Sequence, residues 1–181
     1  MSNNDGIVVS TVDDTLDRMH TAAANADFEA YFDCFIPNGY FIGTDSTERW
    51  NIIPDFYNYT KPYFDQGTGW TYTPISRHIT YLNNETLSLA SGIANTNTSA
   101  TTLPPPKTAT VALFDEILSH ERFGITRNSG VMMLQQQQQQ PSTLLQENTC
   151  SWKIVQYHLT IPIPNQCVDT VVQIIQQQKS D

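Results

Sequence analysis

The spacing of the apolar residues changes from a helical to an alternating pattern after Gly67-Thr68-Gly69. Before this point they recur at helical spacing, and after it they alternate with polar residues along four long runs. These runs cover residues 70–82, 108–118, 123–134 and 150–161. Alternation is typical of strands, which place successive side chains on opposite faces of a sheet. Helices followed by antiparallel strands predict an α+β fold, with the helices packed on one face of the sheet.

The part before residue 67 predicts three helices and one short strand. The predicted elements are a helix over residues 10–24, a short helix after Asp27, a turn at residues 37–39, a strand over residues 40–42 and a helix from Pro54. Ser10 or Thr11 can cap the first helix, and Asp27 can cap the second, because their side chains accept hydrogen bonds from free backbone N–H groups. Residues 166–181 predict an amphipathic helix and a glutamine-rich tail, with the helix packed on the sheet or across a dimer.

Two low-complexity stretches interrupt the predicted strands. Residues 83–107 are rich in Asn, Thr, Ser and Pro, and six consecutive glutamines begin a second stretch over residues 135–149. Both occupy connections between strands, where added length costs little closure entropy. We therefore expect a flexible segment over residues 1–9 and one domain over residues 10–165 that carries two loop inserts.

The last alternating run carries a histidine among apolar neighbours. Regular alternation divides it into two faces: Trp152, Ile154, Gln156, His158 and Thr160 on one, and Lys153, Val155, Tyr157, Leu159 and Ile161 on the other. The first face resembles the wall of a small-molecule pocket, with an imidazole and an amide between apolar side chains. This pattern predicts that His158 lies on the same face as Trp152.

Composition limits the partners and the compartment. The formal net charge is −9 and no basic patch stands out, so nucleic acid and anionic membrane surfaces are not expected partners. Three cysteines, no long apolar run and no secretory pattern at the N-terminus favour a cytoplasmic location with free thiols. No phosphate-binding glycine loop and no metal-ligand spacing is present, so we expect no cofactor and no metal.

Several short motifs, in this order, carry a resemblance to a known family. They are residues 20–28, 41–50, 61–64, 69–72, 77–78, 114–116, 127–131 and 152–165. Together they resemble the SnoaL-like branch of the nuclear-transport-factor-2-like superfamily. The resemblance implies a cone-shaped, curved antiparallel sheet packed on N-terminal helices, a small-molecule ligand between them, and a homodimer. It does not imply one activity, because the same fold hosts isomerases, dehydratases, cyclases, ligand binders and association domains.

The candidate site residues are those that the resemblance brings toward the pocket. The candidates for catalysis are His158, Asp115, Glu116 and Arg127, and the candidates for the pocket are His20, Asp45, Tyr63, Trp70, His78 and Trp152. A histidine beside a carboxylate can move a proton, and an arginine can hold an oxyanion. Neighbours in a strand face opposite ways, so only one of Arg77 and His78, and one of Asp115 and Glu116, can enter the pocket.

Structural roles compete with each of these assignments. Arg127 can pair with an acidic residue of the 114–116 segment to fix the sheet, and His158 can be a hydrogen-bonded core histidine. Asp45 can cap a turn, and Trp70 and Trp152 can be core or pocket wall. Three functions remain open at this point: binding of a small organic ligand, acid/base catalysis on a carbonyl compound, and non-catalytic association.

Overall fold

A computed structural model of the chain describes residues 10–82, 109–136 and 150–178. The predicted flexible segment over residues 1–9 and the insert over residues 83–107 lie outside the described residues. The same is true of the second insert, except for its first two glutamines, which form the end of a strand.

The helices begin close to the predicted positions. They are α1 (Val12–Ala24), α2 (Phe28–Phe32), α3 (Tyr57–Asp65) and α4 (Val168–Gln178). Thr11 caps α1: its hydroxyl accepts from the Asp14 backbone N–H at 3.0 Å, and the Asp14 carboxylate accepts from the Thr11 N–H at 2.8 Å. Asp27 caps α2 by accepting from the Ala30 N–H at 3.1 Å, so this predicted cap is confirmed.

Six strands form one sheet, which confirms the predicted α+β fold. They are β1 (Phe35–Ile42), β2 (Arg49–Asn51), β3 (Thr73–Leu82), β4 (Val111–His120), β5 (Gly124–Gln136) and β6 (Cys150–Thr160). Their order across the sheet is β2-β1-β6-β5-β4-β3. All neighbours are antiparallel except β1 and β6, which are parallel. The sheet is curved and does not close, and the N-terminal helices pack on its concave face.

One local prediction in the first half of the chain is wrong. Residues 37–39, expected to form a turn, lie inside β1, at the irregularity in its pairing with β6. A Cβ on Gly39 would come within 2.5 Å of the Val155 carbonyl oxygen, so the glycine permits close contact between strands rather than a turn. Pro54 directly follows Ile53, the one residue of the helical segment Ile52–Phe56 with non-helical backbone angles, and from Pro54 the chain runs without a break into α3, so the predicted start of this helix is confirmed.

A bulge in β6 determines which of its side chains face the helices. Met132 pairs with Ile154 and Val131 pairs with Gln156, so Val155 is an extra residue on β6. One extra residue reverses the alternation beyond it. Trp152 and Tyr157 consequently lie on the same concave face, and His158 lies on the opposite face. The prediction that His158 shares a face with Trp152 is therefore wrong.

The C-terminal helix is present as predicted but does not cover its own sheet. Val172, Ile174 and Ile175 are 44%, 51% and 48% exposed. The structure therefore does not show the first of the two predicted arrangements, in which this helix packs on the sheet of its own chain. None of the helices within the described residues combines the length and the apolarity that a bilayer crossing requires.

Candidate functional site

A cavity of about 380 Å³ lies between the concave face of the sheet and the helices. This volume is within the range of roughly 300–1,000 Å³ that is usual for small-molecule sites. Most of the lining side chains are aromatic or aliphatic. They come from α1, α2, α3, β1, β2 and β6, from the segments before α3 and β3, and from the turn after β4. The aromatic members are Tyr31, Phe41, Trp50, Phe56, Tyr59, Tyr63, Trp70, Tyr72, Phe123 and Tyr157.

The aromatic wall is held by contacts among its own rings. Phe41 stacks on Phe56 with the ring centroids 4.0 Å apart, and Tyr157 stacks on the Phe41 ring at 6.0 Å. Trp50 contacts Tyr59 with the ring centroids 4.5 Å apart. Rings that pack on one another restrict one another's rotamers, so the wall of the cavity is preformed.

His20 brings a buried polar group to this wall. His20 lies in the third turn of α1, 8% exposed, and its Nε2 atom lies 3.0 Å from the Glu116 carboxylate. Glu116 belongs to β4 and is fully buried. Because a carboxylate only accepts hydrogen bonds, it fixes the hydrogen of the imidazole on Nε2 and leaves Nδ1 as the second ring nitrogen.

Arg77 neutralises the buried carboxylate from the neighbouring strand. It is the cross-strand partner of Glu116 and binds it through Nε at 2.7 Å and Nη2 at 2.6 Å. The same guanidinium contacts Asp13 at 2.9 Å and Asp17 at 2.7 Å, both on α1. Arg77 therefore joins the helix that carries His20 to the sheet that carries Glu116.

The electrostatics keep Glu116 ionised. Burial raises the pKa of its carboxyl, but the hydrogen bonds from His20 and Asn128 and the charge of Arg77 outweigh this effect, so the pKa lies below its ordinary value. Burial also lowers the pKa of Arg77, and its carboxylate partners reverse this and raise it overall. The pair is thus charged in the folded protein, as buried charges require.

Asn128 extends the hydrogen-bond network to a second cavity residue. It is buried on β5, opposite Glu116, and its Nδ2 atom donates to Glu116 at 2.8 Å and to the Tyr157 hydroxyl at 2.6 Å. Burial raises the pKa of the Tyr157 hydroxyl, which therefore keeps its proton. His20, Glu116, Asn128 and Tyr157 form one connected polar network at the cavity. The other polar residues of the lining are Thr44, Glu48, His120 and Arg122.

The structure brings part of the predicted site together. His20, Tyr63 and Trp70 line the cavity, and Glu116 lies directly behind His20. Of the pairs that the sequence left open, Arg77 rather than His78 and Glu116 rather than Asp115 face the helices. The buried ion pair considered for Arg127 exists, but its cation is Arg77.

Other predicted residues lie elsewhere. His78, Asp115 and His158 share one cross-strand row with Ser129, on the face that points away from the helices, and Arg127 is on the same outer face. This follows from strand parity, since the inward row is Arg77, Glu116, Asn128 and Leu159. Asp45 is exposed and accepts from Thr47 in a turn, and Trp152 is buried in the core.

Asn128 and Tyr157 are the residues that sequence reasoning missed. Both lie in motifs that carried the resemblance, but their roles depend on strand register and on the bulge at Val155. Neither is readable from a single sequence. Within residues 10–82, 109–136 and 150–178, no three side chains of His, Cys, Asp or Glu lie close enough together to hold a metal ion.

The model of the SnoaL-like domain matches residues 12–116, which is more than half of the chain. The chain therefore belongs to the SnoaL-like family, as the sequence motifs predicted.

Solved structures agree on the fold. A candidate aromatic ring hydroxylase from Novosphingobium aromaticivorans aligns with a TM-score of 0.51 and 10% identity, over 84% of this chain and 87% of its own. A protein of unknown function from Pectobacterium atrosepticum aligns with a TM-score of 0.50 and 13% identity, over 84% and 88%. At these identities the likeness concerns the fold alone. No curated protein sequence matches the chain.

Proposed function

We propose that the chain binds a small, flat and largely apolar organic molecule in the aromatic cavity. The observation that carries this proposal is a cavity of about 380 Å³ whose largely aromatic wall includes the polar network anchored at His20 and Glu116. Apolar surface supplies the binding free energy, and few polar groups fix the orientation of the ligand. His20, Tyr63 and Trp70 are the predicted pocket residues that this proposal retains.

Binding can be followed through the protein's own fluorescence. Trp50 and Trp70 line the cavity, so 2-naphthol or 1-tetralone in the cavity should quench part of the tryptophan emission and raise the melting temperature. Leu159→Trp fills the cavity without removing a polar group, and we expect it to abolish both effects. His158→Ala, the neighbouring position on the outer face, is the matched control and should bind as the wild type does. If Leu159→Trp binds the probes as the wild type does, the ligand binds outside this cavity.

Acid/base catalysis is the second candidate, favoured by the contact of 3.0 Å between His20 Nε2 and the ionised Glu116. In this scheme His20 Nδ1 removes a proton from the carbon next to a ligand carbonyl and returns it to the same or a conjugated carbon. Glu116 holds the ring and stabilises its charged form. No other reactant is needed, because the proton that leaves is the proton that returns.

Hydrogen exchange separates binding from catalysis. 1-Tetralone incubated with the protein in D₂O should lose its α-proton signals in NMR faster than in buffer, and His20→Gln should remove the acceleration. Equal rates with and without protein for ketones that do bind would leave binding as the function. His158, Asp115 and Arg127 have no part in this scheme, because they lie on the outer face.

A homodimer in the cytoplasm completes the proposal. Its support is the outer sheet face, where Leu113, Ile125 and Met133 are exposed, and three free cysteines, which fit a reducing compartment. Dimerisation on this face leaves the cavity of each chain open, so it is compatible with ligand binding.

A further inference from the structure

Tyr157 has a hydroxyl group whose hydrogen is accepted by none of the residues that the structure describes. The side chain is 4% exposed and lies on the concave face of β6, where its ring forms part of the cavity wall. The ring contacts Phe35, Phe41 and Phe114 with centroids 6.0–6.3 Å apart. Packing of this kind fixes where the hydroxyl group lies.

The direction of the hydrogen bond at Tyr157 follows from its neighbour. Asn128 lies 2.8 Å from the Glu116 carboxylate, which only accepts, so the amide atom that faces it is nitrogen. The same nitrogen lies 2.6 Å from the Tyr157 oxygen. An amide nitrogen donates and does not accept, so the tyrosine oxygen is the acceptor in this contact. The tyrosine hydrogen has no acceptor among the described residues.

His20 offers the cavity a hydrogen-bond acceptor, whereas Tyr157 offers a donor. Its Nε2 hydrogen is committed to Glu116, so Nδ1 of the neutral ring is an acceptor, and no described residue donates to it. The two groups are close, because His20 and Asn128 contact the same carboxylate oxygen at 3.0 and 2.8 Å, and Asn128 contacts Tyr157. One end of the cavity therefore offers one donor and one acceptor within a short network.

We propose that Tyr157 and His20 determine which polar groups the ligand carries. The ligand is a cyclic or aromatic hydroxy-carbonyl compound whose carbonyl oxygen accepts a hydrogen bond from Tyr157 and whose hydroxyl group donates one to His20. Asn128 and Glu116 act as positioning residues, since they determine which hydrogens the two cavity groups have left to offer. This inference rests on the proposed binding function and adds the ligand class and a specificity-determining residue.

The test compares isosteric probes in wild type and in Tyr157→Phe, which removes the hydroxyl group and keeps the ring. Dissociation constants are measured by tryptophan quenching for tetralin, which has no polar group, 1-tetralone, which has an acceptor, and 6-hydroxy-1-tetralone, which has both. A neutral hydrogen bond is worth about a fivefold change in affinity. We expect wild type to prefer 1-tetralone over tetralin by about this factor and Tyr157→Phe to lose the preference, with tetralin binding unchanged.

The outcomes separate this inference from the proposal on which it rests. If wild type binds tetralin and 1-tetralone equally, or if Tyr157→Phe keeps the preference, the donor role of Tyr157 is refuted while the cavity still binds. If wild type binds none of the probes, the binding function itself fails and the inference fails with it. The wild-type preference is measured without any variant, so it tests the inference even if Tyr157→Phe does not fold.

The acceptor role of His20 is tested with the third probe. We expect the added hydroxyl group of 6-hydroxy-1-tetralone to improve binding in wild type and not in His20→Phe. An equal gain in both proteins would refute the acceptor role.

Discussion

Glu116 is the residue on which the polar network of the cavity depends. It is fully buried, and Arg77, His20 and Asn128 all donate to its two oxygens. These donors come from β3, α1 and β5, so one carboxylate organises three elements. A buried charge with this many partners is costly to remove, because Arg77, His20 and Asn128 all lose a charged acceptor at once.

We expect Glu116→Gln to lower the free energy of unfolding by about 3 kcal/mol, at the lower end of the range for breaking a buried ion pair, because Arg77 keeps Asp13 and Asp17. Urea denaturation at pH 7 measures this change. Asp115→Asn, one position earlier on β4 and on the outer face, is the matched control and should change stability by less than about 0.5 kcal/mol. Equal effects at the two positions would contradict the assigned faces.

The loss should also depend on pH in a defined direction. The pKa of the Glu116 carboxyl is lower in the folded protein than its ordinary value of 4.5. A carboxyl of this kind stabilises the folded state above its ordinary pKa, and the contribution disappears as the pH falls through the lower folded value. The difference between wild type and Glu116→Gln should therefore be full at neutral pH and decrease below about pH 4.5. A difference that grows on acidification would contradict this direction.

Sequence reasoning reached these residues only as pairs of alternatives. Neighbouring residues in a strand point to opposite faces, so Asp115 and Glu116 cannot both face inward, and neither can Arg77 and His78. This rule does not say which residue of each pair faces inward. That choice is made by strand register, which pairs Arg77 with Glu116 and Glu116 with Asn128. Register depends on the packing of the whole sheet and is not encoded in either dipeptide.

At the scale of the element, the bulge of β6 is the feature that the sequence pattern concealed. The alternation along residues 151–161 is regular in the sequence, but the extra residue Val155 reverses the faces in the structure. The reversal directs Tyr157 into the cavity and His158 away from it. The helix caps, in contrast, were predictable because Thr11 and Asp27 act on backbone groups a few residues away.

Gly130 provides a test of the bulge. It pairs with Tyr157 just beyond Val155, and an added Cβ would collide with the Gln156 carbonyl oxygen and come within 2.7 Å of the Phe114 ring. We expect Gly130→Ala to lower the free energy of unfolding by about 2 kcal/mol or more, since the backbone of β6 must move. Thermal or urea denaturation measures this, with Ser129→Ala, whose side chain lies on the outer face, as the control. A Gly130→Ala variant as stable as Ser129→Ala would show that the strands are not this close.

At the scale of the whole molecule, the order of elements was predictable and the neighbours across the sheet were not. Helical and strand periodicities are local, so helices before strands could be read directly from the sequence. The parallel pairing of β1 with β6 joins segments more than a hundred residues apart, and β2 is only three residues long. The cavity needs both features, because Phe41 on β1 and Trp50 on β2 form part of its wall.

The outer face of the sheet carries the last prediction. Leu113, Ile125 and Met133 are 42%, 52% and 43% exposed there, and an apolar sheet face of this kind is a common surface for association. If the proposed homodimer uses this face, Leu113→Lys should shift the protein toward monomer in sedimentation equilibrium, because two buried ammonium groups would face an apolar surface. Ile53→Lys, 48% exposed on the turn before α3, is the control and should leave the dimer intact. Retained cavity binding by the Leu113→Lys monomer would show that each chain carries a complete site, whereas a wild type that is monomeric at every concentration would refute the dimer.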